Sequence, residues 1–369
     1  MRIAFDQQVF LLQKYGGISR YICSLAQELM LLPEVRAKII APLHFNGNLS
    51  QLGKSDLLWG RHAPSIPKTF RLVSGLSTNI AHMATMCFRP DIVHETYFSQ
   101  IDFKPRGAKR VVTVYDMIHE KFAESMLQSH VTTDAKRVAT TRADHVLCIS
   151  HSTQRDLIDL FGIAPEKTSV VHLASDQLIV SEHARQAVVA ITQHPYLLYV
   201  GSRGGYKNFS GLLQAYASSN YLQANFNIVS FGGGILSGEE QNLIERLGIK
   251  NQCVIQVGGD DSVLAALYEK AAAFVYPSLY EGFGIPPLEA MSLGCPVILS
   301  NTSSLPEVVG DAGEYFDPAD IESIRTKIEA VLQSPSKQAE LVAAGYLRNG
   351  LFSWKRCAQE THAIYRELL

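Results

Sequence analysis

No apolar run in the chain reaches the ~18 residues that a membrane-spanning helix requires, so no spanning helix is expected. No C-x-x-C pair occurs either. The six cysteines (Cys23, Cys87, Cys148, Cys253, Cys295 and Cys357) are scattered through apolar segments, which points to reduced core thiols rather than a metal or redox centre. There is no G-x-G-x-x-G fingerprint of a dinucleotide site and no D-x-D pair to hold a divalent cation. Neither sign of charge is in excess, with 33 basic residues against 35 acidic, which removes any whole-chain electrostatic argument for nucleic acid. Disordered tails and low-complexity segments are also missing. The opening MRIAFDQ runs into a strand pattern without the apolar core of a secretory signal, so the expected compartment is the cytoplasm.

What is present describes an α/β protein. A length of 369 residues, 47% hydrophobic and 18% charged, suits two globular domains of ordinary size. Apolar runs at 2–6, 36–43, 91–96, 110–115, 145–150 and 169–173 read as strands. Patterns of helical period fall at 19–32, 71–88, 130–142 and 152–161. Residues 44–68 show no period and read as a long irregular loop, either a surface excursion or a functional one. A polar stretch at 175–195 breaks the rhythm and is the expected linker. Strands then recur at 196–201, 226–231, 253–257, 272–276 and 297–300, followed by helices at 320–332, 337–348 and 354–368. Such alternation predicts parallel βαβ units, a first domain over 1–185, a second over 190–350 and a final helical segment over 351–369.

One stretch carries the chemistry: YPSLYEGFGIPPLEAMSLGCPVILSNTSSLPEVV, residues 276–309. A strand ends in the turn Gly282-Phe283-Gly284-Ile285, and Pro286 and Pro287 open a helix, where proline is tolerated because backbone donors there have no helical partner. Glu281 stands before the turn and Glu289 inside the first helical turn, with seven residues between them. A glycine turn feeding a helix start offers N–H groups and a positive dipole end to an anion. Flanking carboxylates can hold hydroxyls. Phosphate plus hydroxyls suggests a nucleotide sugar, although either glutamate alone would read as a solvated loop or cap residue. A second glycine-rich turn, Gly201-Ser202-Arg203-Gly204-Gly205-Tyr206-Lys207-Asn208, follows a strand and precedes a helix. Arginine can fork a diphosphate there and lysine can meet it as a point charge.

The 276–309 stretch resembles the E-x7-E signature of retaining glycosyltransferases of family 4. The match includes the GFG turn, the E-A-M-x-x-G helix end and the S-x-x-P-E segment from Ser303 to Glu307. That resemblance implies the GT-B fold, two Rossmann-like α/β/α domains facing a central cleft, with the last helix crossing back to the first domain. It implies that Glu281 contacts the donor sugar and that Glu289 holds the ribose. Arg203, Lys207 and the amides of Gly282, Phe283, Gly284 and Ile285 would meet the diphosphate, so no metal and no cofactor beyond the nucleotide-sugar co-substrate is expected. Phe231-Gly232-Gly233-Gly234 would approach the donor. Gly258 and Asp260, at a neighbouring strand end, would flank the base, and Asp260 could accept from guanine.

In the first domain, Gly16 and Gly17 close a strand-to-helix loop that in the resembled family lies against the donor phosphates or the reaction centre. Polar residues at strand ends, His94-Glu95 and Tyr115-Asp116-Met117-Ile118-His119, fall where α/β sheets bind ligands. Many family members carry histidine-aspartate here. This chain has Tyr115 in the histidine's slot, which leaves Asp116 and His119 as the catalytic candidates. Ser150 and Ser152 look like capping residues. The 44–68 loop is assigned to acceptor binding. Arg61, Lys68 and Arg71 make one edge basic, consistent with a lipid diphosphate or peripheral contact with the inner membrane face.

The segments around Gly16–Tyr21, TVYDMIHE and Tyr206-Lys207-Asn208 look like bacterial mannosyltransferases of polysaccharide or O-antigen assembly. GDP-mannose is therefore the expected donor, ahead of UDP-sugars. A lipid-linked or oligosaccharide glycan of lipopolysaccharide type is the expected acceptor. A GT-B epimerase, a phosphorylase and a non-catalytic partner subunit are the competing readings.

Overall fold

Two all-parallel sheets order the chain. The computed structural model describes residues 1–52, 55–63, 70–125 and 129–369; Pro64, Pro67 and Lys68, and the side chain of Arg71, lie outside the described residues. The first sheet contains β1 (Arg2–Phe5), β2 (Arg36–His44), β3 (Leu58–His62), β4 (Ile92–Glu95), β5 (Lys109–Val114), β6 (His145–Cys148) and β7 (Thr168–Val170), in the order β3-β2-β1-β4-β5-β6-β7. The second contains β8 (Tyr196–Val200), β9 (Asn227–Phe231), β10 (Val254–Val257), β11 (Ala273–Tyr276), β12 (Val297–Ser300) and β13 (Gly313–Phe316), in the order β10-β9-β8-β11-β12-β13. Every residue of β4, β6, β8, β11 and β12 is buried. Helices cover both faces of a parallel sheet, so its central strands read as unbroken apolar runs. Each order reverses once, between β1 and β4 and between β8 and β11. Loops leaving the carboxyl ends of two such strands diverge to opposite faces and open a ligand crevice.

The chain separates into one unit of Met1–Leu173 with Ser353–Leu369 and another of Ala174–Phe352. Helix Trp354–Leu368 packs on helix Gly17–Met30, both within the first unit. The apolar face of Gly17–Met30 (Tyr21, Ile22, Leu25, Ala26, Leu29) is buried at the spacing its sequence shows. Tyr21 rests against Trp354 at a ring separation of 6.1 Å. In the second unit, Leu197, Tyr199, Leu212, Tyr216, Ile228, Val275 and Ile328 belong to one continuous core.

Two segments and two cysteines differ from the sequence reading. The polar stretch at 175–195 contains helix Glu182–Ile191, capped by the Ser181 side chain and tied by Arg185 to Glu269 at 2.8 Å. It lies wholly in the second unit. The stretch read as irregular, 44–68, contains helix Gly47–Gln51 and edge strand β3. Cys87 is exposed and Cys253 half-buried, while the other four cysteines are buried; all six are free thiols. Ser150 caps helix His151–Phe161 through its hydroxyl, 3.0 Å from Thr153 N–H. Among the described residues no helix is long and apolar enough to cross a membrane.

Candidate functional site

Because β8 and β11 are neighbours in register, the loops after them leave the same sheet edge side by side. The two loops are pinned by a backbone bond from Leu279 N–H to Tyr206 C=O, 2.7 Å. This brings Lys207 and Glu281, 74 residues apart, to a separation of 2.7 Å between Nζ and Oε1. Their side chains are 15% and 9% exposed, so the charges meet in a partly desolvated place where Coulomb attraction is stronger than in water. Lys207 Nζ also lies 3.3 Å from the Tyr276 hydroxyl and over the Tyr206 ring at 5.2 Å. Burial first, and then Glu281, hold the Tyr276 phenol well above its usual range, so it stays a neutral donor.

Serines of the following loop fix the backbone of Glu281. Its N–H donates to Ser303 Oγ (2.9 Å), and Ser304 Oγ donates to the carbonyls of Glu281 (2.9 Å) and Phe283 (2.8 Å). Ser303 itself adopts φ +54°, uncommon for a residue with a Cβ. Gly284 follows at φ +110° and caps helix Ile285–Ser292. The second and third residues of that helix are Pro286 and Pro287, which have no N–H, so its unpaired donors are concentrated near Gly284 and Ile285. Phe283 is buried against Phe352, rings at 5.8 Å. Glu289 is also buried, its Oε2 accepting from the Tyr268 hydroxyl at 3.3 Å. The turn thus sets a helix start between two buried carboxylates, the first paired with a lysine: carboxylates can accept from hydroxyls, and the lysine and helix start can donate to a phosphate.

Arg203 is placed elsewhere. Its guanidinium is buried and donates to four consecutive carbonyls: Gly232 (2.8 Å), Gly233 (3.3 Å), Gly234 (3.0 Å) and Ile235 (2.9 Å). Nε meets Glu240 Oε1 at 2.7 Å. All three glycines hold positive φ, a left-handed run that residues with a Cβ rarely adopt, and the arginine gathers the carbonyls that this run turns to one side. Glu240 is fixed in turn by a capping box with Ser237. Burial alone would raise the Glu240 carboxyl, but Arg203 and the Ser237 N–H together bring it below its usual range. Asp260 is the N-cap of helix Asp261–Lys270, with Oδ1 accepting from Ser262 and Val263 N–H at 3.1 Å each, so capping accounts for it without a ligand. Gly258 is exposed at the end of β10.

The first-unit candidates form a separate group. Gly16 caps helix Gly17–Met30, and a Cβ there would strike the Gln13 side chain at 2.3 Å, whereas one on Gly17 would meet nothing. Tyr115 is buried and its hydroxyl donates to Thr96 C=O (2.8 Å), so it is part of the wall and not a polar group at the strand end. Asp116 accepts from Ile118 N–H at 3.1 Å and so shapes the turn into helix Ile118–Lys121. His119 lies on that helix with a buried Nδ1 lacking a hydrogen-bond partner. His94 and Glu95 are buried in structural networks: His94 bonds Tyr365 and Thr113, and Glu95 receives Arg142 at 2.8 and 2.9 Å.

Sequence reasoning missed Lys136, which is fully buried and donates to Asp116 C=O (2.8 Å) and Glu120 (2.7 Å), fixing the Asp116–His119 segment from behind. A lone lysine in a helix pattern reads as surface, so nothing local signals it. Tyr276 and Ser304 were also missed, and Ser303 entered only as the first residue of the S-x-x-P-E segment.

Comparison with known proteins agrees with this architecture. The family model described as glycosyltransferase family 4 matches residues 15–176, and the one described as glycosyl transferases group 1 matches residues 180–348. An O-antigen chain mannosyltransferase B of Escherichia coli is 29% identical over 95% of this chain and 96% of its own. A sucrose-phosphate synthase from Thermosynechococcus elongatus superposes with a TM-score of 0.77 at 20% identity, covering 100% of this chain and 99% of that one. The structure of HepE from Anabaena, in complex with UDP and glucose, superposes at a TM-score of 0.73 and 17% identity, with 99% of both chains covered. With one family model on each unit and two parallel sheets of matching order, the chain belongs with the family 4-like glycosyltransferases of the GT-B fold.

Proposed function

We propose that the protein is a retaining mannosyltransferase that moves mannose from GDP-mannose to a hydroxyl of a glycan or lipid-linked glycan in polysaccharide assembly. The Lys207–Glu281 pair carries this reading. On donor binding, Lys207 would turn from the carboxylate to the diphosphate, with the Gly284 and Ile285 amides beside it. These fixed charges and dipoles stabilise the diphosphate as it leaves with the bonding electron pair. Freed of its lysine, Glu281 would hold a donor-sugar hydroxyl and favour positive charge at the anomeric carbon. The departing phosphate oxygen then takes the acceptor's proton while the new C–O bond forms on the face just vacated, which keeps the anomeric configuration. Glu289 would hold the ribose.

The choice of mannose rests on the resemblance to O-antigen mannosyltransferases; Asp260 lends the guanine base no support, because its carboxylate caps a helix. Arg203 is read as a support for the glycine loop beside the donor and not as its ligand. The first unit would supply acceptor recognition, with Asp116 and His119 as its reactive side chains. Incubation with GDP-mannose and with UDP-sugars, followed by NMR of the glycoside formed, tests the proposal. An α-mannoside from GDP-mannose supports it. A β-product, or transfer only from a UDP-sugar, contradicts it.

A further inference from the structure

Three neighbouring strands of the second sheet, β10, β9 and β8, begin side by side, and a groove of about 410 Å³ opens across their amino ends. That volume lies in the range of small-molecule sites. The loop carrying Lys207 leaves the opposite end of β8, a strand of five residues, so about 15 Å separates the groove from the donor turn.

The lining is rich in amides and holds no carboxylate. Gln193, Gln223, Asn225, Asn227 and Gln252 all border the groove, and the basic side chains there are Lys250 and His194. Two of the amides are fixed in place: Gln223 Nε2 donates to Ala217 C=O (2.9 Å) and Asn225 Nδ2 to Tyr221 C=O (2.8 Å), which leaves their oxygens as acceptors. Among the described residues, no hydrogen bond engages the side chains of Gln193, Asn227 and Gln252. Asn227 is half-buried and its N–H donates to Pro195 C=O at 2.8 Å, so its amide is carried on a fixed backbone. Apolar surface lies between the amides, from Ile191, Ile255 and the half-buried Phe226, whose ring stands edge-on to Tyr221 at 5.9 Å.

We propose that this groove binds a neutral oligosaccharide, a segment of the glycan that the enzyme extends, at a distance from the transfer site. An amide presents a donor and an acceptor together, the pairing that neighbouring sugar hydroxyls require, and the C–H face of a sugar ring packs on apolar and aromatic surface. A phosphorylated ligand or a nucleic acid would call for clustered cations, which two exposed basic side chains do not supply. A second copy of the chain fits less well, because covering the groove would take these amides out of water and each would need a new partner. A glycan held here stays close to the enzyme between transfers, so longer acceptors gain effective concentration. The choice of a glycan rests on the glycosyltransferase reading, but binding is measured without a donor, so the failure of one is distinguishable from the failure of the other.

Native affinity electrophoresis of the whole protein, through gels containing α-mannan or dextran, tests the proposal. Retardation by a neutral polymer is expected. Asn227→Ala/Gln252→Ala should weaken it about tenfold, the effect of losing two hydrogen bonds of ordinary strength, and Gln252→Ala alone should weaken it in part. GDP affinity should stay unchanged in both variants, which shows that they remain folded. Absence of retardation by either polymer, or retardation equal in wild type and the double variant, overturns the proposal. So does a concentration-dependent dimer that the double variant dissolves, since the occupant would then be a second copy.

Discussion

Arg203 Nε lies 2.7 Å from Glu240 Oε1, and the remaining guanidinium donors close on the carbonyls of the glycine loop after β9. An arginine committed in this way shapes the wall beside the donor. Arg203→Lys cannot reproduce a fork of this kind, so it should behave like Arg203→Ala. Both should lower stability by about 1–3 kcal/mol, the cost of leaving buried acceptors unpaired. Glu240→Gln should raise the donor KM in parallel with Arg203→Ala. An unchanged donor KM in Glu240→Gln would assign the arginine directly to the diphosphate.

Glu281 accepts from Lys207, and glutamine at this position can still accept from it through its amide oxygen. Glu281→Gln should therefore fold normally and bind GDP within a few fold of wild type. Turnover should drop by roughly 10²–10³, the scale of losing one fixed electrostatic group in a dry site. Steady-state kinetics beside GDP titration separate the two effects. Turnover within a few fold of wild type would remove the residue from the reaction.

Much of this was legible from residue order, and the rest fails for physical reasons. The central strands were visible because burial on both faces leaves unbroken apolar runs, as in Tyr196–Val200. Two of the four edge strands were not: in β3 (LWGRH) every residue is half-buried or exposed, and in β13 (GEYF) three of four are only half-buried. Helix Glu182–Ile191 was hidden because its support comes from Glu269 and Ser262, far along the chain. Lys207 and the two glutamates were singled out through the resembled motifs, and the fold brings Lys207 and Glu281 into contact. The role of Arg203 was not, because four carbonyls and a carboxylate up to 37 residues away decide it.

Gly284 sits at φ +110°, and an added Cβ would lie 2.9 Å from Leu305 Cδ2. Gly284→Ala should cost about 1–3 kcal/mol, since such a backbone is strained for any residue with a side chain. Urea unfolding measures this cost. GDP affinity should drop with it, because the same turn aims the Ile285 amide. Unaltered stability would mean that the turn relaxes without strain.

His94 is enclosed between the Tyr365 hydroxyl (2.5 Å from Nδ1) and Thr113 (2.8 Å from Nε2), and burial pushes its pKa down from 6.5 to about 3. Below pH 6.5 the unfolded chain takes up a proton that the folded chain refuses, so stability falls as pH falls. The slope from this group is at most about 1.4 kcal/mol per pH unit, between pH 6.5 and about 3, and the full contribution is present above 6.5. Urea midpoints measured across that window should show a shallower acid limb in His94→Gln than in wild type. Parallel limbs would exclude the histidine.

The account depends most on Lys207 as the cation for a nucleoside diphosphate, in the second unit and within reach of Glu281. Isothermal titration of GDP and GDP-mannose into wild type and Lys207→Ala tests it directly. Saturable binding to wild type, weakened about 100-fold or more in the variant while far-ultraviolet circular dichroism is unchanged, is the expected result. Equal affinity of the two proteins, or no binding of either ligand to wild type, would contradict it.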